Sequence, residues 1–313
     1  MQFRLETENG SEHYRAMTPS MRLFALALLL LLPPARAAEP AGFTRTEDVV
    51  YGRKFGTALT LDVIQPTKEP NGYGIIYMVS GGWFSSHDSV NPRGYAPYLD
   101  RGYTVFAVVH GSQPRFIIPE ITKDIHRAVR FIRSNARKWG VNPDRLGISG
   151  GSAGGHLSLT MGTQGGPGKT DAKDPIDRES SAVQAVACFY PTTDFLNYGT
   201  AGEDAAGTGI LKDYKPAFGP RSDTPESRQV YGKEVSPIYF ITAALPPTLI
   251  FHGDADKLVP LQQAETFVQR ATEAGATAKV VVHAGGAHGW GGMDKDMAVM
   301  ADWFDEHLCG VKK

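Results

Sequence analysis

The sequence predicts an α/β fold, in which helices flank a mostly parallel sheet. Short apolar runs alternate along the chain with helical segments, as in strands that crossover helices connect. The pattern Gly-x-Ser-x-Gly, at 150–154, lies directly between a predicted strand and a predicted helix. The chain has 313 residues, 42% of them hydrophobic and 21% charged, with a formal net charge of −1. This composition indicates an ordinary globular domain, and the balanced charge argues against a nucleic-acid partner.

The predicted elements follow in chain order. Thr44 to Tyr51 and Ala58 to Ile64 form an antiparallel entry to the sheet. The later strands are continuous apolar runs, typical of strands covered on both faces, and are predicted at 74–79, 103–109, 146–149, 183–189, 248–252 and 278–283. Helices are predicted at 119–139, 153–161, 261–275 and 293–309. In the first of these helices the charged residues, among them Arg127 and Arg133, are expected on a solvated face.

Ser152 is the candidate nucleophile. A serine on a sharp strand-to-helix turn has a strained backbone, and glycines two residues to either side let the chain pass close to itself. The turn also leaves the Ala153 N–H at a helix N-terminus, where it is able to bind a developing oxyanion. The motif therefore predicts a nucleophile elbow.

A serine nucleophile needs a histidine base and a carboxylate that orients it. Asp254 and Asp256 both follow the strand at 248–252, and the residues alone do not separate them. His288 lies in a Gly-rich loop after the last strand and is preferred as the base over His283, which has no such loop. Structural roles are expected for His156 and His252.

Two irregular stretches, 163–180 and 194–240, interrupt the alternation of strands and helices. Long loops in a compact domain usually have a function. The second stretch is interpreted as a lid-like or substrate-binding insertion. Its aromatic residues either form walls of the site or pin the insertion to the body: they are Phe195, Tyr198, Tyr214, Phe218, Tyr231 and Tyr239.

The N-terminal region resembles a secretory signal. Met21-Arg22 precedes an apolar run at 23–32, and Ala35-Arg36-Ala37 supplies a cleavage site. We therefore predict a signal peptide at 1–37, with Met17 or Met21 as alternative translation starts, and a single domain at 38–313 that is exported to the periplasm or the exterior. The run is shorter than the roughly 20 residues that span a bilayer, although an uncleaved anchor is the alternative.

The two cysteines, Cys188 and Cys309, are too few for a disulfide framework. Cys188 lies in an apolar strand and is expected to be a small core residue. Whether the two form a bridge is left open by their spacing.

Several motifs together resemble the bacterial α/β-hydrolase esterases, of the acetyl esterase and carboxylesterase type related to hormone-sensitive lipases. These motifs are Ser80-Gly81-Gly82-Trp83, Asn142-Pro143-Asp144-Arg145-Leu146, Gly150 to Leu157, Pro191-Thr192-Thr193-Asp194, Ser236-Pro237-Ile238 and His252 to Pro260. The resemblance extends over roughly residues 51–307. It implies the α/β-hydrolase fold, with Ser152 as nucleophile, Asp256 as acid and His288 as base.

The resemblance also implies an oxyanion hole formed by the N–H of Gly82 or Trp83 together with that of Ala153. The family usually has His-Gly-Gly in this loop, whereas the chain has Ser80-Gly81-Gly82. Ser80 is therefore expected either to brace the loop in a different way or to leave it looser. No metal or organic cofactor is implied.

The expected function is that of an exported serine esterase that acts on short acyl groups of a small-molecule or polysaccharide ester. Acetyl groups on extracellular polysaccharide are the favoured substrate. Two alternatives are a serine peptidase of the prolyl-oligopeptidase type and a catalytically silent binding protein with the same fold.

Overall fold

The computed structural model describes residues 42–310. Its strands form one eight-stranded sheet in the order β1-β2-β4-β3-β5-β6-β7-β8. Their bounds are β1 Phe43–Lys54, β2 Thr57–Pro66, β3 Gly74–Met78, β4 Thr104–Val109, β5 Leu146–Gly151, β6 Ala185–Phe189, β7 Thr248–Gly253 and β8 Ala278–His283. The predicted signal peptide, residues 1–37, lies outside the described residues.

The sheet is parallel apart from its first strands. β1 pairs with β2, and β2 with β4, in antiparallel register, whereas the pairs from β3–β4 through β7–β8 are all parallel. The predicted antiparallel entry and mostly parallel sheet are confirmed. Because parallel strands end at the same edge, the loops after β3, β5, β7 and β8 meet there.

Helices cover both faces of the sheet. Their bounds are α1 Ala96–Leu99, α2 Ile118–Asn135, α3 Ala153–Gln164, α4 Lys215–Phe218, α5 Pro225–Val235, α6 Gln262–Glu273 and α7 Met293–Phe304. One core layer places Ile76 and Ile148 against α2, α3 and α6, and the other places Ile75 and Val105 against α1 and α7. Alternate strand residues thus face opposite layers, which explains why the strands are apolar throughout. Among the described residues, no helix combines the length and apolar character needed to cross a membrane.

Two arginines of α2 are not on a solvated face, and that expectation was wrong for them. Arg133 is only 8% exposed and donates to the carbonyls of Pro143, Ser180 and Ala182. Arg127 forms ion pairs with carboxylates of the stretch at 163–180. This irregular stretch lies over the charged side of α2 and is held there by guanidinium groups.

The aromatic residues of the 194–240 insertion have different roles. Phe195, Tyr198, Phe218 and Tyr231 are buried and belong to the core, which agrees with the pinning interpretation. Tyr239 is half-buried and donates its hydroxyl to Asp194. Tyr214 lines the cleft described below, as the wall interpretation required. Short helical turns, with α4 and α5, connect these residues.

Cys188 is fully buried in β6, as expected of a core residue, and Cys309 is half-buried. Both are free thiols. Burial raises the pKa of the Cys188 thiol, so it is held neutral.

Candidate active site

Ser152 lies on the turn between β5 and α3, in the strand-turn-helix context that its motif requires. Its backbone is strained, with φ 55° and ψ −120°. A Cβ on Gly150 would lie 2.7 Å from the Gly154 carbonyl, and a Cβ on Gly154 would lie 2.7 Å from the carbonyl oxygen of Met78. The two glycines of the motif therefore let the turn close tightly against itself and against β3.

Ser152, His288 and Asp256 form a hydrogen-bonded series. His288 Nδ1 lies 2.7 Å from Asp256 Oδ2, and His288 Nε2 lies 2.9 Å from Ser152 Oγ. A carboxylate only accepts hydrogen bonds, so Nδ1 carries the proton and donates to it. Nε2 then accepts from the serine hydroxyl, which is the orientation that a general base requires.

Asp256 is held as a carboxylate. Burial by itself raises its pKa, but the imidazoles of His252 and His288 and the Val259 N–H outweigh burial and hold the pKa well below its usual range. Its Oδ1 accepts from the N–H groups of Leu258 and Val259, both at 2.9 Å. These bonds fix the carboxylate so that Oδ2 faces His288.

The structure separates the two acids that the residues alone left open. Asp254 is exposed, and its Oδ1 accepts from the Gly285 N–H at 2.7 Å. It therefore caps the histidine loop, residues 284–292, as expected of a turn residue. His283 stacks on Trp290, with centroids 4.7 Å apart, and lies outside the series.

The three residues suggested for the oxyanion hole lie on two turns beside Ser152. Gly81 and Phe84 exchange backbone hydrogen bonds of 3.0 and 2.9 Å and so close a turn. The two residues inside this turn, Gly82 and Trp83, have positive φ angles of 53° and 62°. Among residues 42–310, the N–H groups of Gly82, Trp83 and Ala153 have no protein acceptor. They remain the predicted oxyanion donors.

The Trp83 side chain anchors this turn in the core. It is 2% exposed, and its indole N–H donates to His156 Nδ1 at 3.2 Å. His156 Nε2 in turn donates to the Val235 carbonyl at 2.7 Å. Burial lowers the pKa of His156 to about 4, so the ring is neutral and one nitrogen is free to accept. His156 has the structural role that the sequence predicted. It joins α3 and the insertion to the turn at 81–84, which we call the oxyanion turn.

Ser80 is braced by His110. The Ser80 hydroxyl donates to His110 Nε2 at 2.8 Å, while His110 Nδ1 donates to the Gly111 carbonyl at 2.9 Å. His110 lies directly after β4, next to β3, and no sequence signal distinguished it. Of the two expected outcomes, a different bracing or a looser loop, this contact is the first.

Ser152 opens onto a cleft of about 520 Å³. The cleft is lined by residues 77–82 and by Phe84, Ser89, Tyr190, Tyr214 and Leu258. The Tyr190 ring lies against His288, with centroids 4.5 Å apart, and its backbone has the unusual φ of 31°. Tyr190 was not among the residues predicted from the sequence, although it directly follows a strand that ends at this edge.

One group of side chains in the described part of the chain has the spacing of metal ligands: Asp48, Asp62 and His87. The Arg45 guanidinium lies within it, 2.5 Å from Asp62 Oδ2 and 3.2 Å from His87 Nε2. Arg45 therefore already pairs with the buried carboxylate of this group.

The BD-FAE family model matches residues 61–271, about two thirds of the chain. The chain belongs to the BD-FAE family. This confirms the resemblance to esterases related to hormone-sensitive lipases.

Curated relatives of this family member include two proteins of Mycobacterium tuberculosis. The probable carboxylic ester hydrolase LipM is 29% identical over 71% of the chain and 51% of LipM, and the esterase LipQ is 27% identical over 79% and 58%. The chain spans about half the length of these relatives. The prediction of an ester hydrolase agrees with the activities in their names.

Solved structures of esterases share the fold. A truncated carbohydrate esterase from gut microbiota is 28% identical, with a TM-score of 0.73 over 87% of this chain and 99% of the esterase. Thermogutta terrifontis esterase 2 is 25% identical, with a TM-score of 0.67 over 88% and 98%. The predicted α/β-hydrolase fold is confirmed.

Proposed function

We propose that this BD-FAE family protein hydrolyses carboxylic esters, with Ser152 as nucleophile, His288 as general base and Asp256 as the orienting carboxylate. The observation that carries the proposal is the hydrogen-bonded series from Ser152 Oγ through both nitrogens of His288 to Asp256 Oδ2, at 2.9 and 2.7 Å. This series opens on a cleft rather than being enclosed in the core.

In the first half of the reaction, Ser152 Oγ bonds to the ester carbonyl carbon while its proton passes to His288 Nε2. The carbonyl oxygen becomes an oxyanion, which the N–H groups of Ala153 and of Gly82 or Trp83 stabilise. Each such donor is typically worth about 3 kcal/mol of barrier. The C–O bond to the alcohol then breaks, and the departing alkoxide takes the proton from His288.

In the second half, a water molecule gives a proton to His288 and bonds to the acyl carbon. The bond to Ser152 Oγ breaks, the serine regains its proton from His288, and the carboxylic acid leaves. Ionised Asp256 stabilises the imidazolium that forms in both halves.

We further propose that the physiological ester carries a short acyl group on a polysaccharide. A solved relative at 28% identity is a carbohydrate esterase, which supports a sugar as the alcohol. The predicted signal peptide at 1–37 supports a role outside the cytoplasm, where polymers are available.

The test is hydrolysis of p-nitrophenyl acetate and of acetylated xylan by the chain and by its Ser152→Ala variant. We expect release of p-nitrophenol and of acetate by the wild type only, together with labelling of Ser152 by a fluorophosphonate probe. Equal inactivity of both proteins, without labelling, would refute the ester hydrolase proposal. Activity on p-nitrophenyl acetate alone would refute only the polysaccharide substrate.

A further inference from the structure

Tyr190 lies where the three candidate catalytic segments meet. It directly follows β6, and its backbone N–H donates to the Phe251 carbonyl of β7 at 2.7 Å. The carbonyl of the preceding residue, Phe189, accepts from the Ser152 N–H at 3.0 Å. The backbone at 189–190 is therefore bonded both to the turn that carries Ser152 and to the strand that leads to Asp256.

The side chain of Tyr190 reaches the remaining segment, the histidine loop. A Cβ on Gly151, next to the nucleophile, would lie 3.4 Å from the Tyr190 ring, and a Cβ on Gly289 would lie 3.9 Å from its hydroxyl. Trp290 packs edge-on against the same ring, with centroids 5.8 Å apart. The ring therefore lies between the nucleophile turn and the histidine loop, and its centroid is 4.5 Å from that of His288.

The backbone of Tyr190 is strained. Its φ of 31° is unusual for a bulky side chain, because steric clashes restrict the left-handed region. Strained residues persist where the surrounding structure enforces them, and they cluster at active sites. Within residues 42–310, the hydroxyl of Tyr190 has a single protein acceptor, the weakly accepting Met293 sulfur at 3.9 Å. A strong hydrogen bond of the hydroxyl therefore does not account for this placement, whereas the contacts of the ring do.

His288 needs a contact of this kind during the reaction. Two hydrogen bonds hold its imidazole at rest, one from Nδ1 to Asp256 and one from the Ser152 hydroxyl to Nε2. The bond with Ser152 is lost once the serine is acylated, when Nε2 has to receive a proton from water. Of the two bonds, the one to Asp256 then remains, and a single bond allows the ring to tilt. Packing against Tyr190 opposes that tilt.

We propose that Tyr190 is a positioning residue, whose ring holds the His288 imidazole in line with Ser152 throughout the reaction. This inference rests on the proposed ester hydrolysis and adds a residue to its machinery. The ring performs this role rather than the hydroxyl, because the ring makes the contact with His288.

The experiment measures kcat and KM for p-nitrophenyl acetate in variants of Tyr190. Tyr190→Leu removes the ring and should lower kcat by about 10-fold, because a small displacement of a catalytic group is costly. Tyr190→Phe keeps the ring and should retain the wild-type kcat. The matched control is Tyr239→Leu, which removes another half-buried tyrosine, one that donates to Asp194 and does not line the cleft. This control should lower stability in urea without lowering kcat.

A double-mutant cycle separates positioning from a general structural effect. In a His288→Ala background there is no imidazole to hold, so Tyr190→Leu should have little further effect on the residual rate, measured above that of Ser152→Ala. If Tyr190→Leu does not fold, Tyr190→Met, which has a longer and more adaptable apolar side chain, takes its place in both measurements.

The proposal is overturned if the ring-deleted variant that folds keeps the wild-type kcat, or if it loses activity by the same factor with and without His288. In both cases the wild type would still hydrolyse the acetate ester and be labelled at Ser152 by a fluorophosphonate, so the ester hydrolase proposal would stand. A wild type that is inactive and unlabelled would overturn the two proposals together.

Discussion

Replacement of Trp83 by phenylalanine should separate the anchoring of the oxyanion turn from the general stability of the fold. The indole N–H donates to His156 Nδ1 at 3.2 Å, and both side chains are buried. Phenylalanine retains an aromatic ring against Phe195 and Phe218 but has no N–H to donate. His156 Nδ1 then becomes a buried acceptor without a partner.

The expected magnitudes follow from that lost bond. An unsatisfied buried acceptor costs about 1–3 kcal/mol, so the free energy of unfolding should fall by this amount. The oxyanion donors of the turn are loosened rather than removed, so the loss in kcat should be smaller than the 10²- to 10³-fold typical of a deleted donor. We expect kcat to fall about 10-fold, which corresponds to about 1.4 kcal/mol of barrier, with KM little changed.

The assay is steady-state hydrolysis of p-nitrophenyl acetate beside urea unfolding. Trp303→Phe is the matched control, because the Trp303 indole N–H donates to the Pro247 carbonyl at 3.3 Å in the core layer on the other face of the sheet. This control should lose stability while keeping its kcat. A Trp83→Phe protein that is less stable but has wild-type kcat would refute the reasoning, because the hydrogen bond would then contribute only to stability.

Three further outcomes are expected. Asp256→Asn should lower kcat by about 10⁴-fold, as for a triad carboxylate, whereas Asp254→Asn should retain most activity; equal losses would show that the assignment of the acid is wrong. In Gly253→Ala, the new Cβ would collide with a carbonyl of the histidine loop. Because this displaces the loop that carries His288, kcat should fall by up to about 10²-fold. Gly291→Ala is the control, because a Cβ at this position of the same loop meets open space. Burial lowers the pKa of His156 to about 4 from about 6.5 in the unfolded chain, so this group's contribution to stability is complete above pH 6.5 and is lost as the pH falls toward 4. The free energy of unfolding, measured with urea, should therefore be about 2 kcal/mol lower at pH 5 than at pH 7 because of this group. His156→Phe should reduce this difference between the two pH values; an unchanged difference would contradict the prediction.

Much of the fold and of the candidate site was predictable from local patterns. The motif around Ser152 is read from adjacent residues, and alternating strands and helices place the ends of β5, β7 and β8 at one edge. The parallel sheet therefore suffices to bring Ser152 near the loop that carries His288. The choice between Asp254 and Asp256 was different, because both are polar, lie on the same turn and differ only in the direction of their side chains.

Other features depend on contacts between distant parts of the chain. The periodicity of α2 shows which side of the helix is polar, but Arg133 is covered by carbonyls from 143 and from 180–182. The His110 contact with Ser80 similarly depends on β4 being adjacent to β3. The insertion has no regular periodicity, so its sequence does not show that Phe195 and Phe218 are buried while Tyr214 lines the cleft.

The burial of the insertion's aromatic residues limits how this protein is to be re-engineered. A surface loop is exchanged between homologues with little effect on the rest of the molecule. This segment instead completes a layer of the core, lines the cleft through Tyr214 and supplies the Val235 carbonyl that accepts from His156. If this segment were replaced by that of a relative, the residues that pack against it around Trp83 and His156 would have to be exchanged as well. Otherwise voids would remain in the core, and each would lower the free energy of unfolding by several kcal/mol. The lining of the cleft and the packing of the core therefore depend on the same segment, so single substitutions within it are a better starting point for redesign than its replacement.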